Sequence, residues 1–365
     1  MRVTALALVD FRNHDNLSLA FSPGVSTILG RNGRGKTNII EAINYVATLG
    51  SHRVSTDSPL IRRGCNSAHI GASIVKQDRS AAVEIDIVEG RSNTVTLNGS
   101  ALRKPRDVLG LLQCVVFAPE DLDLVKGDPT ARRRYLDDFA TAMAPRIAGV
   151  RADYEKVLRS RNALLKSAGR RPLGATAQAS LEAWNDQFVL HASSLVHARL
   201  RMLAQLQPHI ESHGAMISGG TEPLTASYVS SWLEESAREV EDIRQSLWHA
   251  IRERHRDEVE RGVSLVGPHR DDVLLSLSGG PAKGYASHGQ SWSIALALRL
   301  ATFSVLREVD DDPVLILDDV FAELDARRRE RLLSALAGAE QTLVTAAVAQ
   351  DVPQALMDNT IELGE

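Results

Sequence analysis

Cysteine is nearly absent from this 365-residue chain: Cys65 and Cys114 are the only two, and they form no C-x-x-C pair. Two thiols cannot build the disulfide framework of a small secreted domain, so a reducing, cytoplasmic setting is expected. Long apolar runs are also lacking. No stretch approaches the ~18 residues needed to cross a bilayer. Residues 1–10 are too short for a signal-peptide core and soon meet Asp10 and Arg12, so they read as a strand. No membrane partner is expected. There is no excess of positive charge either. The net charge is −4, so any nucleic acid must be met by a local patch rather than by the whole molecule. No tandem repeat with a period of roughly 20–50 residues is visible. What remains is ordinary for a globular protein, 44% apolar and 24% charged. The length leaves room for two or three domains, or for one large core carrying an insertion.

One stretch stands out. Gly30-Arg31-Asn32-Gly33-Arg34-Gly35-Lys36-Thr37 fits the phosphate-binding pattern G-x-x-x-x-G-K-[ST] at every fixed position. Residues 25–29 before it read as a short buried strand. Residues 37–49 after it read as a helix with Ile39, Ile40, Ile43 and Val46 on one side. Strand, glycine loop and helix are what the chemistry requires. Glycines let backbone N–H groups turn inward around phosphates, and the helix N-terminus adds partial positive charge. Lys36 can reach the outer phosphates and the Thr37 hydroxyl can ligate Mg²⁺.

Three regions follow from the periodicity. Residues 1–130 are strand-rich, with β-like segments at 3–9, 17–21, 25–29, 68–75, 82–88, 94–97 and 114–118, and Asn98-Gly99 as a hairpin turn. Residues 131–261 change to three- and four-residue spacing. Ile147, Val150, Tyr154 and Val157 form one run, Leu181, Trp184, Phe188 and Leu195 another, and Val240, Ile243, Leu247 and Ile251 a third. Residues 169–174 break the first two runs, and 208–223 read as a looser connection. In residues 262–365 strands return at 273–277, 313–317 and 341–344, with a strong helix over 291–306. The expected fold is α/β: a P-loop domain with a mixed β-sheet, split around an inserted, coiled-coil-like helical arm.

The C-terminal region holds a second group of candidates. Residues 314–317 form an apolar strand that ends in Asp318 and Asp319. A buried parallel strand there would bring Asp318 beside the phosphate loop to hold Mg²⁺, and Asp319 could orient or deprotonate an attacking water. Ser287-His288-Gly289-Gln290-Ser291 opens the predicted helix as a second anion site, and Glu323-Leu324-Asp325 follows the acidic strand. The segment Gly267-Pro268-His269-Arg270-Asp271-Asp272 lacks a second His or Cys at ligand spacing, so it reads as a turn into a strand rather than a zinc site.

This order of phosphate loop, signature, acidic strand and D-loop resembles the ATP-binding-cassette ATPases. The resemblance implies that the signature of one subunit closes over ATP held by the phosphate loop of another, in an ATP-dependent head-to-head homodimer. The long arm resembles the SMC-like branch, which acts on DNA. A closer set of blocks is similar to the RecF family of recombination mediators. These are Asp10-Phe11-Arg12-Asn13-His14, Ser51-His52-Arg53, Leu60-Ile61-Arg62-Arg63-Gly64, Phe117-Ala118-Pro119-Glu120-Asp121-Leu122, Arg132-Arg133-Arg134-Tyr135-Leu136-Asp137 and the 267–272 segment, together with the motifs already given. They run in order over nearly the whole chain. The resemblance implies a cytoplasmic, weakly active Mg²⁺-dependent ATPase of DNA repair, replication and the SOS response. It would bind gapped or junction-containing DNA and act with RecO and RecR to help load RecA. A transporter motor and a small-molecule kinase are the competing readings.

Three departures from the cassette pattern matter. Asp319 stands where many such ATPases carry Glu, which predicts slow hydrolysis. Thr345 stands near the place where transporters keep a histidine and is a candidate switch residue. No glutamine is assigned to the Q-loop, for Gln113 precedes the 114–118 strand and Glu120 lies just past it. For DNA the candidates are Arg53, Arg62 and Arg63 on the head and Arg132, Arg133 and Arg134 on the arm. Residues 131–171 carry 11 Lys and Arg against 4 Asp and Glu, and residues 231–261 carry 6 against 9, so the positive stretch could contact phosphates or could brace an acidic helix across a solvated face.

Overall fold

Alternating apolar residues build the first layer of the structure. The computed structural model describes residues 1–167 and 174–363, so most of the predicted break at 169–174 lies outside the described residues. The N-terminal elements are β1 (Arg2–Phe11), β2 (His14–Ala20), β3 (Gly24–Leu29), α1 (Lys36–Thr48), β4 (Ser67–Lys76), β5 (Arg79–Val88), β6 (Thr94–Leu97), β7 (Ser100–Ala101), β8 (Cys114–Phe117) and α2 (Leu122–Lys126). Then come α3 (Pro129–Met143), α4 (Arg146–Ser167), α5 (Ala175–Ser218), β9 (Leu224–Val229), α6 (Val240–Arg261), β10 (Asp272–Leu277) and β11 (Gly280–Pro281). The chain ends with α7 (His288–Val309), β12 (Val314–Asp318), α8 (Ala326–Leu336), β13 (Gln341–Ala346) and β14 (Thr360–Glu362).

The chain divides into two units. One comprises Met1–Lys126, Pro208–Leu224 and Gly284–Glu365; the other comprises Gly127–Gln207 and Thr225–Lys283. The first unit holds two sheets. Six strands pair in the order β2-β1-β4-β5-β6-β7, and the pairings on either side of β1 and β4 are antiparallel. Asn98 and Gly99, both at positive φ, make the predicted two-residue turn between β6 and β7. Five strands form the second sheet in the order β14-β3-β13-β12-β8, all parallel. Every residue of β12 and β13 is buried, as a parallel sheet covered on both faces requires. Ile39, Ile40 and Ile43 of α1 are fully buried in the same core cluster as Ile28, Ile316 and Leu343. Each such side chain contributes about 1.5–3 kcal/mol relative to exposure.

The second unit is mainly helical. Ile243, Leu247 and Ile251 of α6 are buried, as their spacing predicts. Its small sheet differs from the sequence reading. β10 does not rejoin the head sheet but lies between β11 and β9 in a three-stranded sheet of its own. A second difference is Pro208, at which the sequence points to the start of a looser connection. It lies inside α5, a continuous helix of 44 residues. Proline removes one helical hydrogen bond, but Leu206 and Ile210 on either side of it are fully buried, and that packing carries the helix through.

Candidate nucleotide site

The parallel sheet places the chemistry at one edge. β12 and β13 pair with Asp318 opposite Thr345, and β13 and β3 pair with Ala346 opposite Leu29, one residue before the phosphate loop. The carboxyl ends of β3, β12 and β13 therefore converge, as ligand sites in parallel sheets do.

Two glycines shape the loop. Gly33 and Gly35 have φ of 86° and 91°, the left-handed region that favours glycine. A Cβ on Gly35 would also run into the Asn13 and His14 side chains. These two side chains brace the loop, with Asn13 Nδ2 donating to the Gly33 carbonyl at 3.3 Å and His14 Nε2 lying 3.1 Å from the Gly35 carbonyl. Helix α1 starts with no side-chain cap and no acid in its first turn, leaving its N–H groups for an anion. Lys36 is buried, and its ammonium donates to the Gly30 carbonyl at 2.7 Å and to Asn32 Oδ1 at 3.3 Å. Arg31, Asn32 and Arg34 are exposed around the mouth.

Asp318 receives two hydroxyl hydrogen bonds on one oxygen, from Thr345 at 2.5 Å and from Thr37 at 3.2 Å. Burial pushes its pKa up to about 6; the two hydroxyls oppose the rise, while Asp319 and Glu120 add to it. A carboxylate so desolvated is poised for a cation. Thr37 and Asp318 fit Mg²⁺, which takes few protein carboxylates and completes its shell with phosphate oxygens and water. Asp319 sits in the left-handed region at φ 51°, and its N–H donates to the Thr345 Oγ1 at 3.1 Å. Burial raises its pKa, against the pull of Lys36. Thr345 thus touches both acids.

The candidate signature residues, 287–291, open α7. Ser287 is the N-cap: its hydroxyl accepts from the Gln290 N–H at 3.2 Å, and Gln290 Oε1 accepts from the Ser287 N–H at 2.8 Å, a complete capping box. Ser287 and His288 are exposed, Gly289 and Gln290 half-buried, and Ser291 buried. Gln290 Nε2 also donates to Glu222 at 2.6 Å. After β12, Glu323 ends a short 3-10 turn and its side chain lies outside the described residues. Leu324 is buried, and Asp325 caps α8.

The arginines divide. Arg12, Arg53, Arg62 and Arg63 line one open cavity of about 640 Å³. Within it Arg53 donates to Asn38 at 2.9 Å and Arg62 pairs with Asp10 at 2.8 Å. On the arm, Arg132 corrects the sequence reading. It is buried, with its guanidinium forked onto Asp272 at 2.8 and 2.9 Å, so it braces β10 instead of facing a phosphate. Arg133 is half-buried and donates to the Asp271 carbonyl at 2.7 Å, whereas Arg134 pairs with Asp138 at the surface. The sequence reading missed Glu41. This buried acid on α1 takes a bidentate pair from Arg12 at 2.5 and 2.7 Å and further bonds from Ser51 and Arg53. Burial works to raise its pKa, but Arg12 and Ser51 outweigh this and hold it low. An acid beside three buried isoleucines was the available signal.

Sheet, loop and paired acids define an ABC-type P-loop ATPase head. The model of the RecF/RecN/SMC N terminal domain matches residues 2–363. A DNA replication and repair protein RecF of Kineococcus radiotolerans is 51% identical, over 98% of this chain and 95% of its own. That of Frankia alni is also 51% identical, over 98% and 96%. A structure of the recombination mediator protein RecF-ATPrS in the RecFOR pathway superposes with a TM-score of 0.89 at 27% identity, over 99% of this chain and 95% of that one. An Smc head domain from Pyrococcus furiosus, with a TM-score of 0.54 and 18% identity over 99% and 92% of the chains, shares the fold. The chain belongs to the RecF family. The transporter reading finds no support among these relatives.

Proposed function

We propose that this protein is an ATP-gated DNA-binding dimer of recombinational repair. The observation that carries the reading is the convergence of Lys36, Thr37, Asp318 and Asp319 at one sheet edge, in a chain whose structural neighbours include RecF with ATP. Residues 30–37 would cradle the phosphates of ATP, with Lys36 leaving the Gly30 carbonyl for the outer phosphates. Thr37 and Asp318 would hold Mg²⁺, which supplies charge neutralisation at the transferred phosphate. Asp319, steadied by Thr345, would orient the attacking water and take its proton. Its short side chain favours slow turnover, suited to a switch.

Ser287, exposed on its cap, and the residues up to Ser291 would close over the nucleotide of a second copy, with Glu323, Leu324 and Asp325 beside the joint. Nucleotide then stabilises association, and hydrolysis releases it. DNA with a gap or a single-strand/double-strand junction is the ligand, with Arg53, Arg62 and Arg63 as its head contacts. RecR and RecO are the partners in helping RecA to load, in the cytoplasm.

The test is fluorescence anisotropy of a gapped duplex titrated with the Asp319→Asn protein, with and without Mg-ATP at fixed salt. Tight binding only with ATP is expected. Equal, weak binding in both conditions would overturn the DNA switch.

A further inference from the structure

Helix α8 opens against electrostatic expectation. Arg327, Arg328 and Arg329 occupy its first turn, where the helix dipole disfavours cations, and no acid stands among them. Two of the three are turned back onto the segment before the helix. Arg329 Nε donates to the Leu324 carbonyl at 3.0 Å. Arg328 does more. Its backbone N–H donates to Asp325 Oδ1 at 2.9 Å and its Nη1 to Asp325 Oδ2 at 2.8 Å, while its Nε donates to Ser293 Oγ at 3.0 Å on α7. Ser293 in turn donates to the Gly289 carbonyl at 3.0 Å. The guanidinium also lies against Gly289: a Cβ there would come within 2.9 Å of Nη1 and 3.1 Å of Nη2. The glycine leaves the space that the planar group fills.

We infer that Arg328 is a positioning residue that ties the signature helix to the D-loop, so that both meet the second copy as one piece. This rests on the reading of residues 287–291 as a signature acting on another subunit. An ordinary i,i+3 surface pair would join Asp325 to Arg328 and stop there. Here the same guanidinium continues to a second helix, at the turn that carries Gly289. Arginine is required because one planar fork serves Asp325 and Ser293 together, which a lysine ammonium on its flexible stem cannot reproduce. Without the tie, closure of α7 over a nucleotide no longer fixes where Asp325 stands.

The experiment compares Arg328→Ala, Arg328→Lys and Ser293→Ala in the Asp319→Asn background. It measures ATP binding by dilute monomer, thermal midpoint, and ATP-dependent dimerisation by sedimentation. Loss of a charge-assisted bond predicts a dimer dissociation constant raised roughly 10-fold or more for Arg328→Ala, with little rescue by lysine. Ser293→Ala, which leaves the α8 cap intact, should shift it less and in the same direction. Monomer ATP binding should stay within about two-fold, because the phosphate loop is untouched. Native dimerisation by Arg328→Ala would overturn the inference, as would a parallel loss of monomer ATP binding and thermal midpoint. Ser287→Arg, run alongside, separates the two levels: if it too dimerises normally, the signature reading itself has failed.

Discussion

Lys36 is a buried cation whose hydrogen bonds go to a carbonyl and an amide oxygen of its own loop. Lys36→Ala should therefore abolish ATP binding, with affinity falling at least ~100-fold, as equilibrium titration with a fluorescent ATP analogue would show. Asp319→Asn should bind ATP normally and lose turnover, seen in a phosphate-release assay; turnover at the native rate would remove Asp319 as the base. Both residues were legible in the sequence because the constraint on them is local: a fixed spacing of glycines in one case, an apolar strand ending in acids in the other. The partners of Glu41 and the Asn13–His14 brace were not legible. Their meaning comes from segments that meet only in the fold, Arg12 and Ser51 around the acid and β2 against the loop.

At the scale of elements, α7 and the helices of the second unit carry the next expectations. Ser287→Arg should spare monomer ATP binding and block ATP-dependent dimers in sedimentation, because it places a bulky cation on an exposed cap. Gly262 ends α6 at φ 67°, and a Cβ there would press on the Lys166 backbone at 3.2 Å. Gly262→Ala should lower unfolding free energy by about 1–2 kcal/mol in urea titrations. The turn at His269 gives a pH dependence. Nδ1 lies 2.7 Å from the Tyr154 hydroxyl and Nε2 3.2 Å from the Ser264 carbonyl, and burial lowers the pKa from 6.5 to about 4. Below pH 6.5 the unfolded chain takes up a proton that the folded imidazole refuses, so stability falls as pH drops towards 4. The loss is on the order of 3 kcal/mol, and His269→Gln should flatten that slope. Helical periodicity identified α4, α5 and α6, but propensity misplaced the end of α5. Pro208 argued for a break, and burial on either side of it overrode that signal, so the helix runs on to Ser218.

For the whole molecule, a net charge of −4 confines DNA contact to a patch, and the cavity with Arg53, Arg62 and Arg63 is the one proposed. Replacing Arg62 and Arg63 by Ala should weaken binding to any DNA sequence and reduce the salt slope of log K by roughly 2, measured by anisotropy across a salt series. The α/β head was readable from the order of strands and motifs. The placement of β10 was not, because strand pattern says which face is buried and not which sheet receives the strand. Asp319 holds a final lesson. Its left-handed backbone is the kind of local defect that stability engineering removes, and glycine there would relax it. A program that selected variants for ruggedness alone would favour that exchange. If Asp319 acts as proposed, it would enrich a sturdier chain that still folds and still takes up ATP, but has lost the means to let go.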